Sequence, residues 1–355
     1  MLILVALVCA VASTKDPLAV QASTPPVQAV SVSAPVPLIR RAPTGDAYTD
    51  ISVLTYNVKG LPWPLRMDLP DPDPDAAMAK IGKHLDALRN AGKAPDIVLI
   101  QEGFPDTATD IGRLGNYRFA AHGPTRADAN DATSTPADAI LAAGADWTRG
   151  ESQGPILNSG LHAFSDYPLT VRASHAFGRH VCAGYDCLAA KGVLVLGIDI
   201  PGVPEPVIVL TVHMNANGAS GVPEPRALAA HRLQMDSFAD VLQSAADPAL
   251  PLIFGGDFNV KAARARQEYA DTRLNPARLT AVHLSCKVPA CTPGYPAREN
   301  AHWLEPRDIQ GFRGGAHIQV TPLSSEEMFA GPDSGGQLSD HAGYLVRYRL
   351  SWAAP

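Results

Sequence analysis

The chain has 355 residues, 46% of them hydrophobic, and a formal net charge of −6. That length and apolar content suffice for one large domain with its own core. The mild acidity excludes a chain built for non-specific adhesion to nucleic acid, which depends on Lys and Arg neutralising phosphates, though not a local basic groove.

Residues 1–15 hold a short apolar core followed by small residues, the pattern of a secretory signal peptide. The core is too short to span a membrane. No Lys or Arg precedes it, so either the true start lies upstream or the signal is atypical. Residues 16–47 are rich in Pro, Ala, Ser and Val without periodicity and read as a disordered tether. The remainder, 48–355, shows no internal break and reads as one domain.

Its first strand is expected over Ile51–Asn57. A helix follows in which Met78, Ile81, Leu85 and Leu88 share one face, with Asp75 as its cap and Gly92 as its stop. Asp96–Glu102 is an apolar run ending in Glu102, and Pro206–Asn215 another ending in His213 and Asn215. Residues 224–243 read as a second helix, with Leu228, Met235, Phe238 and Leu242 apolar. Leu252-Ile253-Phe254 leads into Gly256-Asp257-Phe258-Asn259, where strand alternation would project Asp257 and Asn259 to one side. Gly343–Tyr348 is a last strand, preceded by Ser339-Asp340-His341. Strand interiors are apolar and their ends carry Asn, Glu, His and Asp, which places a polar site on a sheet rim.

Of five cysteines, Cys9 falls in the leader. The others form close pairs, Cys182 with Cys187 and Cys286 with Cys291, as in disulfide-closed loops of an exported protein. The alternative is a single zinc site using all four.

The strand-end motifs Thr55-Tyr56-Asn57-Val58, Ile100-Gln101-Glu102, Thr211-Val212-His213-Met214-Asn215, Gly256-Asp257-Phe258-Asn259 and Ser339-Asp340-His341 together resemble the endonuclease/exonuclease/phosphatase superfamily. The resemblance spans residues 51–348 and implies an α+β fold, a four-layer αββα sandwich of two mainly antiparallel sheets flanked by helices. Within the superfamily, Asp186-Cys187-Leu188-Ala189-Ala190-Lys191-Gly192 looks most like the bacterial neutral sphingomyelinase branch, with Asn158–Leu161 and Phe164–Pro168 similar to the segment before it.

The resemblance implies a secreted or periplasmic phosphodiesterase that hydrolyses a phospholipid head-group ester. The cation is expected to be Mg2+, with another divalent ion as the alternative. Glu102 is the expected metal ligand, with Asn57 beside it and Asp340 contributing directly or through water. His341 is the expected general base, since an imidazole titrates near neutral pH, and Asp308 its orienting carboxylate. His213 would bond the phosphate or assist the leaving group. Asp257 would orient the attacking water, Asn259 would donate to a phosphoryl oxygen, and Asn215 would shape the rim. Lys191 either adds positive charge near the phosphate or is an exposed lysine in a turn. The other nine of eleven histidines lie in helical patterns or lack acidic flanks and read as structural.

An exported nuclease of the same fold is the alternative, but no run of Lys and Arg suggests its groove. A non-catalytic binding module would be expected to lose Glu102, His213, Asp257 or His341, and none is lost. Leu61-Pro62-Trp63-Pro64-Leu65 reads as an apolar tip that meets a membrane surface, or as a lid packed beside Asn57. Trp303 and Leu304 carry the same two readings. No protein partner is expected.

Overall fold

In the computed structural model, residues 36–62, 73–129, 135–261, 263–286, 291–293, 308–332 and 336–354 are described, and all fall within one compact unit. The expected leader, most of the tether, Trp63-Pro64-Leu65 and Trp303-Leu304 lie outside them.

The chain order begins β1 (Arg40–Arg41), β2 (Ala47–Asn57), α1 (Pro74–Asn90), β3 (Ile97–Gln101), α2 (Thr109–Leu114) and β4 (Phe119–His122). It continues α3 (Pro136–Ala143), β5 (His162–Ser165), β6 (Leu169–Ala176), β7 (Gly192–Ile198), β8 (Val207–His213), α4 (Glu224–Ala245) and β9 (Leu252–Asp257). Last come α5 (Arg264–Leu274), β10 (Thr280–Ala281), α6 (Val282–Ser285), β11 (Thr292–Pro293), β12 (Asp308–Arg313), β13 (Ile318–Met328) and β14 (Gly343–Trp352). One sheet runs β11-β13-β14-β2-β3-β5-β4, with β1 on β2; the other runs β10-β12-β9-β8-β7-β6. Most neighbours are antiparallel, but β2–β3, β8–β9 and β11–β13 are parallel.

The layers follow from strand alternation. Val53, Leu99, Val209 and Ile253 fill the core between the sheets. Their neighbours Leu54, Val98 and Ile100 face outward onto α1 with Met78, Ile81 and Leu85. Ile208, Leu210, Leu252 and Phe254 face outward the other way, onto α4 with Met235, Phe238 and Leu242. Strands covered on both faces read as continuous apolar runs, as these do. The result is the expected helix–sheet–sheet–helix sandwich.

Several expected boundaries move. The sheet already takes in Arg40, which pairs with Tyr48, so the folded domain begins before residue 48. Asp73, not Asp75, caps α1, its carboxylate accepting from Asp75 N–H. The last strand runs on to Trp352 because Arg347–Trp352 continue to pair with β2. Both cysteine pairs form disulfides, Cys182–Cys187 and Cys286–Cys291, so the zinc alternative falls. Among the described residues no helix is long and apolar enough to cross a membrane.

Candidate active site

The alternation that builds the inter-sheet core also builds the site. Asn57 shares the inward parity of Val53, His213 that of Val209, and Asp257 that of Ile253. Toward one end of both sheets the inward positions change from apolar to polar. Gln101 there donates to Thr211 Oγ1 across the gap at 2.9 Å. Register then sets the neighbours: His213 pairs with Asp257 on the parallel side, and Asp308 pairs with Asp257 on the antiparallel side.

Glu102 lies one residue past β3, where alternation would send it outward with Ile100. Its backbone instead turns left-handed, with φ of 55°. A non-glycine residue rarely adopts that conformation. The turn brings the carboxylate to Asn57 Nδ2 at 2.9 Å and to within 3.7 Å of His213 Nε2. Asn57 Nδ2 also donates to Asp257 Oδ2 at 2.9 Å, a bond between residues 200 apart in sequence. Asp257 Oδ2 in turn lies 3.6 Å from His213 Nε2 and 3.9 Å from His341 Nε2. His341 Nδ1 bonds Asp308 Oδ2 at 3.0 Å. Ser339 Oγ ties the 339–341 turn to the first sheet by donating to Asn57 O at 2.8 Å.

Burial sets the electrostatics. It raises the Glu102 carboxyl above its usual range, against the opposing Lys191 charge and Asn57 hydrogen bond. It raises Asp257 likewise, with Asp308 adding to the effect. Burial, then Lys191 and His341, drive His213 well below its ordinary value, so that ring is neutral at neutral pH. His341 goes the other way. Burial alone would lower it, but Asp308, by charge and hydrogen bond, with Asp257 and Asp340 behind it, carries it up to about 10.

Lys191 is buried, so the exposed-turn reading is corrected. Its Nζ donates to His213 Nε2 and Met214 O, both at 3.0 Å, and ion-pairs with Asp186. Asp186 opens the segment that carries the branch resemblance but was assigned no role there. Its signal was a carboxylate five residues before the lysine in a cysteine-closed loop. Arg266 was also missed: fully buried, it donates to Asn215 O, Ala216 O and Asn259 O, bracing the turns after β8 and β9.

Four of the expected site residues make bonds of their own. The Asn57 amide turns its nitrogen to the Glu102 and Asp257 carboxylates while its oxygen accepts from Lys59 N–H. Asn215 is fully buried, with its side chain spent on Ala183 N–H and Ala216 O, away from any rim. β9 stops at Asp257, so Asn259 reaches the site by a left-handed turn, not by alternation, and one of its amide hydrogens is taken by Met214 O. Asp340 is exposed and faces Lys59 Nζ at 3.7 Å, outside the carboxylate cluster.

Among the described residues, two groups have ligand atoms mutually within 4.8 Å, Glu102–His213–Asp257 and Asp257–Asp308–His341. Carboxylate oxygens dominate this donor set, and Asp308 Oδ1 is buried without a partner. A hard divalent cation fits such a set, because it takes oxygen ligands and offsets desolvated negative charge. Glu102 and Asp257 are the residues that would hold it.

The family model for endonucleases, exonucleases and phosphatases matches residues 54–307. No curated protein matches the sequence. Among solved structures, a beta toxin from Staphylococcus aureus is similar at 17% identity, covering 83% of this chain and 99% of that chain, with a TM-score of 0.54. A mutant of that toxin with bound magnesium ions is similar at 14% identity, covering 86% and 100% of the two chains, with a TM-score of 0.53. Sphingomyelinase C from Streptomyces griseocarneus is similar at 15% identity, covering 84% and 99%, with a TM-score of 0.50. At such identities the likeness is one of fold. The family match spans most of the domain and includes Asn57, Glu102, His213 and Asp257, and on it the chain belongs to the endonuclease/exonuclease/phosphatase family.

Proposed function

We propose that this protein is a secreted, magnesium-dependent phosphodiesterase of the sphingomyelinase C type, hydrolysing sphingomyelin or a related phospholipid to its phosphorylated head group and a lipid alcohol. The observation that carries the phosphodiesterase reading is the convergence of Glu102, His213, Asp257, Asp308 and His341 at one end of the two sheets. The finer reading draws on the Asp186–Lys191 loop and on the fold shared with a sphingomyelinase C. Export is supported by the leader pattern and the two disulfides. A lipid substrate brings the enzyme to a membrane surface.

Hydrolysis of a phosphodiester requires charge neutralisation at phosphorus, a deprotonated water in line with the leaving oxygen, and a proton for that oxygen. Glu102 and Asp257 would hold the cation, which would supply neutralisation of the phosphoryl charge. His341 Nε2, in the molecules whose ring is neutral, accepts the water proton, with Asp308 fixing the ring through Nδ1. Asp257 Oδ2, 3.9 Å from that nitrogen, aligns the water between them. Water oxygen bonds to phosphorus as the bond to the lipid oxygen breaks, and that oxygen takes its proton from solvent water. Lys191, buried against His213, keeps positive charge beside that ring.

The test is a substrate panel with purified protein: sphingomyelin and phosphatidylcholine vesicles, DNA and RNA, each with magnesium and with chelator. Phosphocholine release that chelator and His341→Ala both abolish is expected. Cleavage of nucleic acid without lipid hydrolysis would replace this reading with the exported nuclease.

A further inference from the structure

The strained turn at Glu102 needs something to hold it. Left-handed backbone at a non-glycine residue persists only where its surroundings over-determine it. Glu102 O accepts from Gly60 N–H at 2.9 Å and Phe104 N–H at 2.8 Å, and Gly103 N–H donates to Gly160 O at 2.9 Å. Those are backbone clamps. A side chain adds another: His162 Nε2 lies 2.7 Å from Gly103 O.

His162 gets there by register. It stands in β5 beside Ile100 of β3 and His122 of β4, so its ring reaches the residues just past the end of β3. Gly103 and the ring fit one another closely, since a Cβ at Gly103 would lie 2.6 Å from His162 Cδ2. A carbonyl only accepts, so Nε2 carries the proton. Nδ1 of His162 must then accept, and it lies 2.7 Å from Nδ1 of the exposed His122. The chain of bonds runs from His122 N–H to His162 and from His162 N–H to the Gly103 carbonyl. Burial, and then the His122 charge, hold the His162 pKa down to about 4, so the ring stays neutral as this chain requires.

We propose that His162 is a positioning residue: with its tautomer set by His122, it grips the Gly103 carbonyl and so presents the Glu102 carboxylate toward the divalent cation. This rests on the metal-site reading above, and neither histidine touches the ester.

The experiment measures Mn2+ binding to the whole protein by electron paramagnetic resonance, with turnover recorded separately. Wild type and Glu102→Gln establish the site; if the two bind alike, the metal reading falls and this inference with it, visibly before any His162 variant is made. His162→Phe keeps the ring volume and removes the donor. It is expected to weaken Mn2+ by about 10-fold or more, the usual effect of removing a group that orients a metal ligand. His162→Gln places an amide N–H near the same point and is expected to recover most of the loss. A folded His162→Phe that binds Mn2+ like wild type overturns the proposal, as does a His162→Gln no better than His162→Phe. Should His162→Phe fail to fold, the exposed His122→Ala decides: weaker Mn2+ binding supports the proposal, and unchanged binding overturns it.

Discussion

At the scale of single residues, the site holds more negative charge than its surroundings comfortably carry. Glu102 and Asp257 are both raised by burial, so each is harder to ionise in the fold than in the unfolded chain. A raised carboxyl contributes stability below its unfolded pKa and loses that contribution as pH climbs through the folded value. Glu102→Gln should therefore melt higher than wild type at pH 7 in chelator, while kcat/KM falls by about 10²-fold or more. Calorimetry and assay on the same preparation check both signs. The Asp308–His341 pair gives a second prediction. With His341 raised to about 10, its contribution is fully present below the ordinary histidine pKa and is lost as pH rises through about 10. The stability gap between wild type and Asp308→Asn should be widest near pH 6 and close above pH 10 in urea titrations. A cation neutralising Asp257 would weaken the field that holds this proton. Raising magnesium should thus shift the rising limb of the pH–rate profile to lower pH.

At the scale of elements, parity decides what faces what. Inward positions of β2, β8 and β9 are apolar in mid-sheet and polar at the end, so short strands serve as both core and active-site floor. The segment from α3 to Glu151 is held differently, by one buried ion pair to α4. Glu151 Oε1 accepts from Arg226 Nε at 2.6 Å and from Gly184 N–H at 2.7 Å. Burial opposes ionisation of Glu151, but Arg226 and these N–H groups bring its pKa below the usual range. Its stabilisation is present above the unfolded pKa and disappears as pH falls through the lowered value. Arg226→Ala should cost about 3 kcal/mol at pH 7, because a buried carboxylate loses its only cationic partner among the described residues. The penalty should shrink towards pH 3, as urea midpoints at the two pH values will tell.

At the scale of the whole molecule, polar bolts cross the apolar gap between the sheets. Gln310, wholly buried, donates to Val53 O and Tyr344 O and accepts from Tyr348 Oη. Those bolts keep the two rims at the spacing the carboxylate cluster needs. A ligand that binds only the folded rim stabilises the entire sandwich, by about 2.7 kcal/mol at a hundred times its Kd. Magnesium should accordingly raise Tm, chelator should reverse the rise, and Glu102→Gln should show no such response.

The sequence by itself determined the strands, through apolar runs and period-two alternation, and the polar residues at their ends, because both are local along the chain. Glu102, His213, Asp257 and His341 stand in those strand-end motifs, and the family resemblance they carry singled them out and, by family order, pointed to Asp308. What only the tertiary structure decided is how they meet. The Asn57–Asp257 bond joins residues 200 apart, the left-handed turn at Glu102 depends on contacts from the separate segments at Gly60 and Gly160, and Asn215 is consumed by neighbours no pattern pairs with it. Hydrogen-bond direction, burial and charge coupling are properties of juxtaposed elements, and they come into being only when two sheets close face to face.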